Sequence, residues 1–178
     1  EHAWLPTFAG KLPLPIPAPL RLGETNERYP WRWSIVPWLE GQTAALVPPA
    51  SSQAEPWAEF LRALHEKPVE DSPPNPFRGC ALQERAQDIE SRTASLSSFL
   101  SPAVIETWNR ALAAAEATQA TWLHADLHPK NILVIEGRIS GVIDWGDMTS
   151  GDPATDLASV WMLFDDSESR ARCFTHYG

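Results

Sequence analysis

Two short apolar runs, ILVI at residues 132–135 and ISGVI at residues 139–143, are separated only by the segment EGR. Runs of this length around a short polar segment that contains glycine predict a β-hairpin. The segment before it, HADLHPKN at residues 124–131, is crowded with hydrogen-bonding side chains, and Asp144 follows the second run. The hairpin constrains the chain strongly, because it brings the end of the second strand back to the start of the first.

Asp126, Asn131 and Asp144 are therefore expected to converge on one point. Two carboxylates and an amide oxygen form the oxygen-only set that suits Mg²⁺. His124 and His128 could suggest zinc, but no cysteine or third histidine lies near them in the sequence, as a zinc site requires. Taken singly, Asp126 could be a turn residue and Asn131 a cap or turn former. Their combination with Asp144 favours a functional site.

The rest of the chain alternates between extended and helical patterns. WRWSIVPWLEG (31–41) predicts a strand that runs into a hinge at Pro37 and Gly41, and PVEDSPPNPFRG (68–79) predicts a loop. A capping box of Ser52 and Glu55 predicts the start of a helix, and Asp152 predicts the cap of the last one. Three helical faces are expected to point to the core: Trp57, Phe60, Leu61 and Leu64; Leu82, Ala86, Ile89, Thr93, Leu96 and Leu100; Val104, Ile105, Trp108 and Leu112. The nine tryptophans predict core and hinge packing.

The formal net charge of −9 argues against nucleic acid or an anionic membrane as a partner, since both attract clustered lysine and arginine. It would suit a cationic ligand, although an acidic surface of this kind is also common in soluble proteins. The two cysteines are too few for a disulfide scaffold, so we expect a cytoplasmic protein. The oligomeric state stays open.

Three segments in the same order carry a resemblance to a known family: YPWRWSIVPWLEG, WLHADLHPKNILV and GVIDWGDMTSGDPATDLA. The order of a loop aspartate, an asparagine five residues later and an aspartate before glycine is that of the protein-kinase signature. The chain resembles the aminoglycoside phosphotransferase family from residue 1 to about residue 165. The resemblance implies an α+β, protein-kinase-like fold. Residues 1–41 would be the remnant of an N-terminal lobe with its hinge. Residues 42–178 would form a mostly α-helical C-terminal lobe with a catalytic β-hairpin, incomplete at its C-terminus.

The resemblance also implies roles for individual residues. Asp126 would accept or orient the proton of a substrate hydroxyl, and Asn131 and Asp144 would hold Mg²⁺ against the phosphates of ATP or another nucleoside triphosphate. The backbone from Pro37 through Trp38 to Leu39 would contact the adenine. Glu1 falls where the family places a helix glutamate that pairs with a strand lysine. The acceptor would be a small hydroxylated compound.

Two parts of a kinase-like nucleotide site have no counterpart in this sequence. The nine glycines include no G-x-G-x-x-G pattern, and Lys11, Lys67 and Lys130 all follow Glu1, whereas kinase-like enzymes place a Gly-rich loop and a lysine on the phosphates. We therefore expect most of the N-terminal lobe to be missing and the chain to be an internal segment of a longer enzyme.

Two other functions remain open at this point. The first is a non-catalytic module that binds a nucleotide or another ligand, which the absence of an upstream lysine and Gly-rich loop in the whole protein would favour. The second is a metallohydrolase that uses Asp126, His128 and Asp144, which predicts tight zinc or manganese binding and hydrolysis without ATP.

Overall fold

Short antiparallel strands and α-helices alternate along the chain in the computed structural model, which describes residues 2–68, 70–96, 99–114 and 119–178. The strands are β1 (Arg21–Gly23), β2 (Trp33–Ile35), β3 (Gln42–Thr43), β4 (Thr121–Leu123), β5 (Ile132–Ile135), β6 (Arg138–Val142) and β7 (Thr149–Gly151). The helices are α1 (Leu5–Phe8), α2 (Ala54–Leu64), α3 (Leu82–Ser95), α4 (Pro102–Ala113), α5 (Ala154–Leu157), α6 (Ser159–Leu163) and α7 (Ser167–Tyr177).

The predicted hairpin is confirmed as β5 and β6. Ile135 lies opposite Arg138, and the two residues between them, Glu136 and Gly137, both have positive φ, as the tight turns that suit twisted hairpins require. β3 extends this pair to a three-stranded sheet in the order β3-β5-β6. β1 pairs with β2, and β4 pairs with β7, in two further antiparallel sheets.

The core lies between α2, α7 and the hairpin. The predicted inner face of α2 is confirmed, since Trp57, Phe60, Leu61 and Leu64 are all fully buried. The indole nitrogen of Trp57 donates to the hydroxyl of Ser159 at 3.0 Å. Burial of each large apolar side chain contributes about 1.5–3 kcal/mol. These four buried residues therefore make α2 a central part of the core.

The predicted capping box at the start of α2 is wrong. A short 3-10 turn, Ser51–Gln53, precedes the helix, and the residue at the cap position is Gln53. Its side-chain oxygen accepts a hydrogen bond from the amide of Ile139 at 3.0 Å. The start of α2 is therefore fixed to the hairpin and not by its own capping side chain.

The predicted helices are confirmed as α3 and α4, but their predicted inner faces are buried only in part. Neither helix buries a residue in the described part of the chain, and the exposed fractions are 48% at Leu96 and 50% at Val104. The two helices contact each other, and Ile89, Trp108 and Leu112 are half-buried. The described residues therefore cover these faces only in part.

Several tryptophans also differ from their predicted burial. Trp57, Trp122 and Trp145 are in the core, whereas Trp31, Trp33, Trp38 and Trp161 are exposed. Three of the four exposed tryptophans lie in residues 31–41, which contain β2 and the hinge, and β2 forms a two-stranded sheet with β1. In the part of the chain that the structure describes, no helix has the length and apolar character needed to cross a membrane.

Candidate active site

The mouth of the β5–β6 hairpin brings Asn131 and Asp144 to the same end of the sheet. Ile132 lies opposite Val142, and one residue further out the amide of Ile143 donates to the carbonyl of Asn131 at 2.9 Å. Asp144 follows with left-handed backbone, φ 64°. This pairing places the two residues beside each other, as the hairpin predicted.

Asn131 also joins the hairpin to the loop that precedes it. The side chain is buried, and its amide nitrogen donates to Asp126 twice, to the carbonyl at 3.0 Å and to the carboxylate at 3.3 Å. The nitrogen is therefore committed to Asp126, so the side-chain oxygen is the atom of Asn131 that faces other partners.

Three side chains surround the carboxylate of Asp126, which is 21% exposed. Arg78 donates to one oxygen at 3.0 Å. The other oxygen lies 3.4 Å from the ring of His128 and accepts from Asn131. The carboxylate is thus held in one orientation with a cation on its solvent side.

Asp156 holds the loop that carries Asp126. Its two carboxylate oxygens accept hydrogen bonds from the amides of His124 and Ala125, both at 2.8 Å, and its side chain is fully buried. Ala125 has φ 69°, which costs a non-glycine residue on the order of 1–2 kcal/mol. The pair of charged hydrogen bonds compensates that strain, as expected for a residue that braces the loop.

His124 is a buried structural residue in a defined protonation state. Its Nε2 atom lies 3.0 Å from the carbonyl of Ile143 and its Nδ1 atom 3.3 Å from the amide of Asp126. One nitrogen must donate and the other accept, which describes a neutral ring. Burial lowers the pKa of His124 below its ordinary value of 6.5, against the opposing effect of the nearby carboxylates, of which Asp156 is the strongest.

The hinge segment lies against the same hairpin. A side chain on Gly141 would come within 2.9 Å of Leu39, and the hydroxyl of Ser140 donates to the carbonyl of Glu40 at 2.8 Å. Pro37 is half-buried and Trp38 is 85% exposed. Glu1, the remaining predicted nucleotide contact, lies outside the described residues.

The contact of Arg78 with Asp126 was not predicted. Arg78 belongs to the segment that was assigned only as a loop, and it contacts Asp147 at 3.4 Å as well as Asp126. The sequence carries a weak signal of this contact, since Arg78 lies beside glycine and prolines that punctuate the loop. Nothing in the local pattern, however, indicates which carboxylates lie 48 and 69 residues further along.

The oxygen donors at the hairpin mouth fit a hard divalent cation. The side-chain oxygen of Asn131 and the carboxylate of the exposed Asp144 lie at one end of the sheet, and Mg²⁺ is commonly held by one or two such groups together with phosphate and water. In residues 2–68, 70–96, 99–114 and 119–178, no group of three or more His, Cys, Asp or Glu side chains is arranged to hold a metal ion. The metallohydrolase interpretation requires a zinc or manganese site of that composition.

The chain is similar to known proteins along nearly its whole length. The family model described as phosphotransferase enzyme family matches residues 1–177. The chain belongs to this family.

Individual relatives point in the same direction. An aminoglycoside 3'-phosphotransferase of Streptomyces fradiae is 32% identical over 128 residues, which cover 68% of this chain and 45% of that protein. The GDP and kanamycin complex of APH(2")-IIIa superposes with a TM-score of 0.71 at 19% identity, over 100% of this chain and 65% of that one. The streptomycin–ATP–APH(2")-IIa ternary complex gives a TM-score of 0.59 at 19% identity, over 97% and 63%.

These superpositions establish the fold. The chain has the mixed α and β, kinase-like fold of the aminoglycoside phosphotransferases, as the motifs implied. It spans less than half of the curated Streptomyces relative and somewhat less than two thirds of the solved structures.

The role of Asp156 predicts a large loss of stability in Asp156→Ala. Two buried amides lose their acceptors, and each such loss costs about 1–3 kcal/mol, so the free energy of unfolding should fall by about 3 kcal/mol or more. Asp152→Ala is the matched control: Asp152 accepts from the amide of Ala154 at 2.8 Å in an exposed position, and its loss should cost about 1 kcal/mol. Urea denaturation measures both. Equal losses in the two variants would contradict the bracing role.

The protonation state of His124 predicts a pH-dependent term in stability. Because the folded-state pKa lies below 6.5, the unfolded chain binds a proton first as the pH falls through 6.5, and stability is lost below that value. The difference in unfolding free energy between the protein and His124→Gln should shrink below pH 6.5 by up to about 1.4 kcal/mol per pH unit. Urea titrations at several pH values test this. A difference that grows towards acid pH would show that the ring gains its proton in the folded state.

Proposed function

We propose that the protein is a nucleoside-triphosphate-dependent O-phosphotransferase that moves the γ-phosphoryl group to a hydroxyl of a small molecule. The observation that carries this proposal is the orientation of the Asp126 carboxylate by the amide of Asn131, at the hairpin mouth where Asp144 also lies. Membership of the phosphotransferase enzyme family supports it.

Asp126 would act on the acceptor. The acceptor oxygen forms a bond to the γ-phosphorus while the bond from that phosphorus to the β–γ bridging oxygen breaks, and the hydroxyl proton passes to the carboxylate of Asp126. The products are a phosphate ester and a nucleoside diphosphate. Because the transition state of such transfers is loose, positioning contributes more than basicity. The two hydrogen bonds from Asn131 to Asp126 supply that positioning.

Asn131 and Asp144 would hold Mg²⁺ through the Asn131 side-chain oxygen and the Asp144 carboxylate. The ion, when bound, neutralises phosphate charge that builds up during transfer. The hydrogen bond between the backbones of Ile143 and Asn131 supports this assignment, because it fixes both ligands at the same end of the hairpin.

The backbone of Pro37, Trp38 and Leu39 would bind the adenine. Its support is the contact of Leu39 with the hairpin at Gly141, which keeps the hinge beside the strands that end at the proposed metal site. The related complexes contain ATP in one case and GDP in the other, so the nucleotide is ATP or another triphosphate. We propose that the chain divides after residue 41 into the remnant of an N-terminal lobe and a C-terminal lobe. Glu1 would contribute to the nucleotide site from the N-terminal lobe.

The acceptor would be a small hydroxylated compound. The relatives named above are aminoglycoside phosphotransferases, and their complexes contain kanamycin or streptomycin. The formal net charge of this chain, −9, is compatible with an acceptor that carries positive charge. Similarity of fold does not by itself identify the acceptor.

The role of Asp126 predicts that Asp126→Asn collapses turnover and spares nucleotide binding. In the full-length protein that contains this chain, kcat should fall by about 10²–10⁴-fold, the contribution typical of a positioned acid–base group. The dissociation constant of Mg·ATP should stay within about threefold, because Asp126 faces the acceptor. The measurement is ATP-dependent phosphorylation of a panel of charged and uncharged hydroxyl compounds, with calorimetry for the nucleotide.

Asp88→Asn, on the exposed surface of α3, is the matched control for loss of one carboxylate. Turnover of Asp126→Asn within about threefold of wild type would remove Asp126 from the reaction, since a general base contributes far more. A wild-type protein that binds Mg·ATP but phosphorylates nothing would favour the non-catalytic module.

A further inference from the structure

Arg78 bridges two carboxylates, one of which is the proposed catalytic group. Its guanidinium donates to Asp126 at 3.0 Å and lies 3.4 Å from Asp147. Arg78 and Asp147 are each 42% exposed at the side chain, so this cation lies between the Asp126 carboxylate and solvent. An exposed ion pair contributes little stability by itself. The position of Arg78 therefore depends on whether its backbone is held in place.

Asn75 fixes the backbone that carries Arg78. Its side-chain oxygen accepts hydrogen bonds from the amides of Phe77 at 2.9 Å and Arg78 at 3.1 Å. Its amide nitrogen donates to the carbonyl of Asp147 at 3.0 Å and to the Asp147 carboxylate at 3.2 Å. One side chain therefore ties the arginine and its second carboxylate into the same turn.

The same loop is attached to β7 along its length. The hydroxyl of Thr149 donates to the carbonyl of Pro73 at 2.9 Å, and the hydroxyl of Ser72 donates to that of Ser150 at 3.0 Å. At the C-terminal end of the loop, Gly79 has φ +67° and packs closely on Gly151 in β7. A side chain on Gly151 would come within 2.2 Å of the Gly79 carbonyl. Arg78 is thus presented by an anchored loop.

Arg78 also lines a groove of 620 Å³ that runs between the loop, the ends of α3 and α4, and the start of α5. The charged residues among its described lining are Arg78, Arg85 and Asp152, and most of the others are alanine, glycine and other apolar residues. A groove built to receive several ammonium groups would be expected to carry an excess of carboxylates. The described residues give an excess of cations instead.

We propose that Arg78 is a specificity-determining residue for the acceptor. It occupies the position between Asp126 and Asp147 that an ammonium group beside the reacting hydroxyl would otherwise take. The acceptor is therefore a hydroxyl compound with no positive charge next to the hydroxyl that reacts, and any cationic group that it carries lies elsewhere. This inference rests on the proposed role of Asp126.

Kanamycin is a suitable probe, because it is a polycation whose hydroxyl groups lie among amino groups. Calorimetry without nucleotide should show weak binding to the wild-type protein. In Arg78→Gln, kanamycin should bind on the order of tenfold more tightly, since two carboxylates lose their cation and can attract an ammonium group. The gain should shrink as salt is added.

Two variants control for other effects of the substitution. Arg78→Lys keeps a cation at the position and should bind kanamycin as the wild type does. Arg85→Gln removes a cation from the same groove without touching the pair of carboxylates, and it should give little gain. Should Arg78→Gln fail to fold, as judged by circular dichroism and a thermal melt, Arg78→Ala takes its place.

The inference is overturned by micromolar binding of kanamycin to the wild type, by an unchanged affinity in Arg78→Gln and Arg78→Ala, or by a gain in Arg85→Gln equal to that in Arg78→Gln. These outcomes are independent of phosphoryl transfer. Failure of the proposed function would appear separately, as absence of ATP-dependent turnover or as an active Asp126→Asn.

Discussion

The pair of hydrogen bonds from the amides of His124 and Ala125 to the Asp156 carboxylate is the interaction on which the site depends. It lets Ala125 keep a left-handed backbone in a buried position. Asp156 also lies 3.4 Å from His65, whose other ring nitrogen is 2.7 Å from the hydroxyl of Tyr177. The Asp156 carboxylate therefore joins the loop that carries Asp126 to α5, to the end of α2 and to α7.

The hairpin could be predicted because the residues that specify it are adjacent in the sequence. Two apolar runs around a turn of Glu136 and Gly137 specify both the pairing and which residues meet at its mouth. Asn131 and Asp144 were therefore placed together correctly. Asp156 lies in α5, about 30 residues beyond the loop that it holds, and the pattern around it does not indicate its two contacts.

The errors came from patterns whose meaning depends on distant partners. The periodic apolar residues of α3 and α4 predict a buried face, but burial requires another element to cover it, and the described residues cover these faces only in part. Ser52 and Glu55 had the spacing of a capping box, yet the cap position is held by Gln53, whose side chain accepts from the amide of Ile139 in the hairpin. Arg78 escaped prediction for the same reason, since its partners belong to another part of the fold.

We propose that the hairpin mouth holds a metal–nucleotide complex beside Asp126. A crystal structure of the full-length protein with Mg²⁺ and a non-hydrolysable ATP analogue tests it most directly. The account predicts Mg²⁺ bound at about 2.0–2.1 Å by the side-chain oxygen of Asn131 and a carboxylate oxygen of Asp144, with the adenine at the hinge. An analogue bound elsewhere, or a metal that contacts neither residue, would contradict it.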